Sequence, residues 1–223
     1  MNLSKSLEFF NPSDVREKIH VVGCGSVGST VAENLVRCGL KNLVLWDMDK
    51  VEAHNIVNQM FVNKHIGQEK VTALKEMLVD INPEVEKTIK CYPKGWQGEM
   101  LSGYVFLCVD NIELRREIVE KHINNPMVKA MFDFRTLLES AQHYAADWSD
   151  KAMKDNFLAT MQFSHDEAKA ETPVSACGIT LGVATTVRIV SALGVNNFIQ
   201  FVKKQGIKKM VLVDLSGWCL DAF

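Results

Sequence analysis

The sequence has no excess of charge of either sign: 25 Lys and Arg stand against 27 Asp and Glu, a formal net charge of -2, with no basic block and no acidic tail. Nothing in that balance suits a DNA partner or an anionic membrane surface. It also lacks any CxxC pair. Cys24, Cys38, Cys91, Cys108, Cys177 and Cys219 are scattered along the chain, so neither a structural zinc nor a disulfide framework is expected, and a reducing cytoplasm suits them. The opening "MNLSKSLEFFNPSD" has no apolar core of signal-peptide length, and secretion is not expected. No uninterrupted run reaches membrane length: "ACGITLGVATTVRIVSALGV" (176–195) carries Arg188 and four hydroxyl residues, and reads as a buried helix of a soluble fold. Internal repeats and low-complexity tracts are absent. The partner must therefore be sought in a site.

At 223 residues the chain can bury a substantial core, and one domain over 1–223 is expected. "KIHVVG" is a short β-branched run and "GSTVAENLVRCGL" has apolar positions at helical spacing; together they read strand, tight turn, helix. "KNLVLWDMD" reads as a buried strand ending in two aspartates, and "IGQEKVTALKEMLVDINP" as an amphipathic helix stopped by Asn82 and Pro83. "GYVFLCVDN", "IELRREIVEKHINN" and "MVKAMFDF" continue as strand, helix, strand. The fold class is α/β, a Rossmann-like, doubly wound and mostly parallel sheet with added antiparallel strands in the C-terminal part. There "AQHYAADW" reads as an edge strand and "IKKMVLVDLSGW" as the final strand. Residues 149–173 are polar and irregular, with at most a short helix around "SHDEAKAE", and are expected to form a mobile crossing loop before an apolar helix starting at Cys177.

Gly23, Gly25 and Gly28 make a GxGxxG between the first strand and its helix, with Ser26 at the helix start. The first glycine can turn sharply, the second lets backbone approach a phosphate, and the third lets helix and strand pack closely. The helix start offers free N–H groups and the positive dipole end to an anion. Asp47, at the end of the next strand, is placed to accept from ribose hydroxyls. Up to this residue an NAD-linked oxidoreductase and an ATP enzyme fit equally well, and glycines serving only a tight turn fit too.

The next residues separate the nucleotide readings. "DMDKVEAHNIVNQMFVNKHIGQEK" carries D-x-D, then Asn55, Gln59 and a G-x-x-K, and "CVDNIELRRE" follows with an aspartate-asparagine pair at a strand end. The series resembles the ThiF/MoeB/HesA family, bacterial relatives of ubiquitin-activating enzymes, from about residue 19 to 111 and more loosely beyond. The resemblance implies that Asp47 binds ribose, that Asp49 sits near magnesium, that Asn55, Gln59 and Lys70 line the triphosphate, and that Asp110 holds the magnesium bridging ATP phosphates. Lys70 also follows Gly67 at a helix start, where an ammonium can reach a phosphate or simply be solvated. Asn111 suits a helix cap.

Two departures stand out. Asn58 replaces the family's phosphate arginine just before Gln59, removing a charge-assisted donor, for which Arg115 and Arg135 are possible substitutes or mere salt-bridge arginines. Cys177, in "VSACGITLG", falls where some members use a cysteine for a covalent intermediate; it can equally be a buried thiol. The function expected from the resemblance is an ATP- and Mg2+-dependent adenylyltransferase acting on a carboxylate, the C-terminal glycine of a ubiquitin-like or sulfur-carrier protein, in a cytoplasmic homodimer. Some members act on modified tRNA instead. The alternatives are a nucleotide-binding but weakened partner subunit and, behind it, the NAD-linked oxidoreductase. "DFRTLLESAQHYAADW" resembles divergent stand-alone members from bacterial operons, plasmids and phages.

Overall fold

A computed structural model describes residues 1–164, 166–167, 170, 174 and 181–223. Its centre is β1 (Ile19–Val22), buried at all four positions. Neighbouring side chains of a strand point to opposite faces, so Ile19 and Val21 enter one core while Val22 enters a second. The same division runs through β2 (Leu43–Trp46) and β4 (Gly103–Leu107), where Leu43, Leu45 and Phe106 face the first core and Trp46, Val105 and Leu107 the second. Strands buried on both sides read as continuous apolar runs, which is why these were visible in the sequence.

The sheet order is β3-β2-β1-β4-β5-β6-β7-β8, completed by β3 (Lys90–Tyr92), β5 (Val128–Thr136), β6 (Ser140–Asp147), β7 (Met210–Asp214) and β8 (Cys219–Ala222). The first five pair in parallel and the last three are antiparallel. α1 (Ser26–Arg37), α2 (Lys70–Ile81) and α5 (Ala184–Val202) supply the first core, and α3 (Ile112–His122) with α4 (Lys151–Ala159) the second. The order reverses between β1 and β4, so a crevice opens at the carboxyl ends of these two strands, where open α/β sheets bind ligands. α5 lies close over β5 because Gly194 has no Cβ; one placed there would fall 2.2 Å from Phe134 Cε1.

Four expectations are corrected, the first being that the "IKKMVLVDLSGW" strand is the last, since β8 (Cys219–Ala222) follows and pairs with it. The "AQHYAADW" strand is internal, because β7 pairs with it and β8 pairs with β7. The short β3 has no legible pattern, its three residues being partly or largely exposed. Residues 151–159 are helix within the stretch expected to be irregular: Asp150 caps the Met153 N–H, and Met153 and Phe157, four apart, are buried. The apolar helix begins at Ala184 rather than at Cys177, and runs to Val202. Part of "SHDEAKAE" lies outside the described residues. Among the described residues no helix is long and apolar enough to cross a membrane.

One buried group gives the fold an acid limit. His143 donates from Nδ1 to the Asp133 carbonyl (3.0 Å) and accepts at Nε2 from Asn197 Nδ2 (3.1 Å). Burial pushes its pKa down to about 4, against the upward pull of Asp133. The unfolded chain takes up this proton first, so the stability contributed is complete above the ordinary value of 6.5 and is lost as pH falls towards 4. Roughly 3 kcal/mol is involved. His143→Gln is expected to lessen the fall of stability in that window in urea titrations, leaving the share of His20, which burial also pushes down to about 4; an unchanged slope would assign the acid limit elsewhere.

Candidate nucleotide site

The turn after β1 is held by its glycines. Gly23 has φ +91°, and a Cβ there would lie 2.7 Å from the Cys108 carbonyl carbon at the end of β4. A Cβ on Gly28 would fall 1.8 Å from the Gly23 carbonyl oxygen, so the absence of a side chain lets α1 sit directly on the turn. Gly25 differs: its Cβ would meet only Gln59 Nε2, at 4.0 Å, and the turn is open there. Gly25 is the N-cap of α1 and no side chain caps the helix, whose first N–H groups have no intrahelical partner. Ser26 opens the helix, and its carbonyl accepts from Thr30 Oγ1 (2.9 Å).

Asp47 closes one side of this turn. One carboxylate oxygen accepts from the Cys24 N–H (2.6 Å) and the other from the Asp49 N–H (2.8 Å), leaving further lone pairs for a hydroxyl ligand. Burial raises its pKa, and the Lys70 charge with the two N–H bonds pulls it back. Lys70, buried at the start of α2, reaches Asp49 Oδ2 at 2.8 Å. Its backbone N–H also bonds the Asp49 carbonyl (2.9 Å), so chain and side chain both tie α2 to the end of β2.

Asn55 is buried and fixes its own short helix (Ala53–Val57) by accepting from the Glu52 N–H (2.9 Å). Gln59 stands over Gly25, and its Oε1 is buried without a hydrogen-bond partner among the described residues. Asn58 turns towards the segment before α5: a Cβ on Gly182 would lie 2.5 Å from its Nδ2. Met60 donates its N–H to Ser29 Oγ (3.2 Å), fastening the 58–60 loop to the first turn of α1. Ser29 was missed in the sequence because a serine in the first helical turn has no distinctive pattern.

Across the crevice, Asp110 is exposed after β4 and makes no ion pair among the described residues. Asn111 caps α3 by accepting from the Leu114 N–H (2.9 Å). The two substitute arginines are engaged elsewhere. Arg115 binds Asp133 Oδ1 (2.7 Å), the Phe134 carbonyl (2.7 Å) and the Val109 carbonyl. Arg135 binds Asp133 Oδ2 (2.9 Å) and both the carbonyl and Oγ1 of Thr160 (2.9 Å each), with its guanidinium 4.6 Å from the centre of the Tyr144 ring. The shared anchor, Asp133, is fully buried, and a lone carboxylate inside an apolar strand was the available signal. Cys177 lies outside the described residues.

The chemistry suits a polyphosphate and its counterion. An uncapped helix start and a buried ammonium favour anionic oxygens. Asp47, Asp49 and Asp110 outnumber Lys70, so bringing in a phosphate chain needs added positive charge; among the described residues no group of three or more His, Cys, Asp or Glu side chains is gathered to hold a metal ion by itself.

Comparison with known proteins follows the same lines. Ubiquitin-like modifier-activating enzyme 5 of Caenorhabditis elegans is 35% identical over 120 residues, covering 47% of this chain and 29% of that protein. The Bombyx mori enzyme of the same name is 40% identical over 125 residues, covering 48% and 32%. The chain thus spans about a third of the length of these curated relatives. Its fold is that of E. coli MccB, solved with ATP (TM-score 0.74, 14% identity, 95% of this chain and 65% of that one), and of PaaA (TM-score 0.70, 13% identity, with the same coverages). Residues 15–216, which include the strands and helices that build the crevice, match the ThiF family, and the chain belongs to it.

Proposed function

We propose that the chain is an ATP-dependent adenylyltransferase. The observation that carries the reading is the buried Lys70 ammonium, paired with Asp49 and acting on the Asp47 carboxylate that holds the glycine-built turn before α1, with Asp110 exposed after the neighbouring strand. A substrate carboxylate oxygen bonds to the α-phosphorus of ATP while the bond to the bridging oxygen of the β-phosphate breaks, giving an acyl-adenylate and pyrophosphate. The α1 N–H groups and Lys70 hold the phosphate charge, Asp47 orients the ribose, and Asn55 and Gln59 shape the loop over Gly25. Asp49 and Asp110 would hold Mg2+, whose charge offsets that developing on the pyrophosphate. The acid proposed is the C-terminal glycine of a ubiquitin-like or sulfur-carrier protein, and the assembly a cytoplasmic homodimer. The relatives named for activating ubiquitin-like modifiers support this substrate class. Arg135 is proposed to brace α4 instead of binding phosphate.

Saturating Mg-ATP, at about a hundred times Kd, is expected to raise the melting temperature by roughly 5–10 °C. Lys70→Ala and Asp110→Ala are expected to abolish most of that shift, and NAD to produce none. A shift by NAD alone, or full ATP stabilisation of both variants, would overturn the proposal.

A second reading is favoured by Asn58, which places a neutral amide where the family carries its phosphate arginine and lies close to Gly182. A nucleotide-binding subunit that needs a catalytic partner would bind ATP stoichiometrically without turnover. Pyrophosphate release by the purified chain with its acid substrate would exclude this second reading.

A further inference from the structure

We infer that Arg188, on α5, is a second phosphate-binding cation of the crevice, gripping the end of the triphosphate farthest from the ribose. The inference rests on the nucleotide reading above. Near the turn, Lys70 is paired with Asp49 and acts on Asp47 as well, and a triphosphate brings several more negative charges. A further cation is needed beside the metal.

The arginines are Arg16, Arg37, Arg115, Arg116, Arg135 and Arg188. Arg115 and Arg135 are locked to Asp133, and Arg116 to the carbonyls of Met161 (3.0 Å) and Phe163 (2.6 Å). Arg37 is the last residue of α1, at the opposite end of that helix from the glycine turn, and Arg16 precedes β1, at the opposite end of the sheet from the crevice. Arg188 alone among them touches the 58–60 loop, where its Nη1 rests on the Met60 thioether. Met60 is in turn fastened to Ser29, in the first turn of α1. The close approach of Gly182 to Asn58 independently puts the lead-in to α5 on the same loop.

The partners of Arg188 hold it weakly. A thioether is a poor acceptor. Glu33 Oε2 is 3.5 Å away, while the other oxygen of Glu33 already accepts from Arg37 at 2.9 Å. The side chain is 45% exposed, and among the described residues only Nη1 has partners, which leaves the Nε and Nη2 donors to a phosphate at little cost to the fold. Asp47 meets the turn at Cys24 and Met60 meets it at Ser29. A phosphate chain starting from a ribose at Asp47 therefore runs towards Arg188 with its distal end.

The test is the affinity for Mg-ATP and for AMP, by calorimetry, in the full chain and in Arg188→Gln and Arg188→Lys. Arg188→Gln is expected to weaken ATP binding about 10- to 100-fold, the scale of charge-assisted bonds, and AMP binding less than about twofold. Arg188→Lys is expected to fall between. Unchanged ATP affinity in Arg188→Gln, or equal losses for ATP and AMP, would overturn the inference while leaving the nucleotide site standing. Failure of the unaltered chain to bind either nucleotide would remove both.

Discussion

Gly28→Ala is expected to lose at least roughly 3 kcal/mol of stability and all measurable ATP binding. The added Cβ would sit 1.8 Å from the Gly23 carbonyl oxygen, 2.8 Å from the Gly23 carbonyl carbon and 3.2 Å from Cys108 Cβ. Two of these three obstacles are backbone, so the methyl can be accommodated only by lifting α1 off the turn, and overpacking that moves backbone lies at the costly end of its usual range. Gly25→Ala is the contrasting experiment. Its Cβ meets only Gln59 Nε2, at 4.0 Å, so there is room for a methyl group. Stability should change by about 1 kcal/mol or less, the ordinary cost of alanine at an N-cap. ATP affinity should nevertheless fall, because the methyl occupies the opening above the helix start. Urea melts with and without Mg-ATP separate the two effects. Equal destabilisation by both substitutions, or undiminished ATP affinity in Gly25→Ala, would refute this division of labour between the glycines.

Asp133→Ala is expected to cost about 3–5 kcal/mol, the range for removing one partner of a buried ion pair. Asp133 has no exposed surface and divides its two oxygens between Arg115 (2.7 Å) and Arg135 (2.9 Å). Without it, the buried Arg115 charge is left with carbonyl partners only. The consequences should spread along both arginines. Arg135 holds the C-terminal end of α4 through Thr160, so amide exchange at 157–161 should speed up. Arg115 holds the Val109 carbonyl, one residue before Asp110, so Mg-ATP affinity should also drop. Asp133→Asn keeps the shape and removes the charge, and its loss should be smaller than that of alanine. A denaturation midpoint unchanged in Asp133→Ala would show that the triad contributes nothing net.

The same triad shows how far the candidate site was legible. Asp133 and Arg135 are two apart on one strand and so share a face, which makes their pairing readable from spacing alone. Arg115 meets Asp133 across 18 positions, and nothing local announces that contact. Reading either arginine as a phosphate ligand therefore missed a competitor that only folding brings close. Arg188 is the converse case. In sequence it is a charge interrupting an apolar run, whereas in the fold α5 packs on α1 and brings that charge onto the 58–60 loop.

What the sequence determined by itself is whatever neighbouring residues decide among themselves. The Gly23 turn, the Asn111 cap, the arrest of α2 at Asn82 and the doubly buried strands all follow from side chains and backbone a few positions apart. The tertiary structure alone decided the rest. It made β6 internal, because that status depends on β7 arriving from some 60 residues away. It bound Lys70 to Asp49 and Arg115 to Asp133, because a charge takes the partner that packing brings within about 3 Å. Contacts between remote segments are set by which faces of the sheet must be covered, and a linear pattern carries no record of that choice.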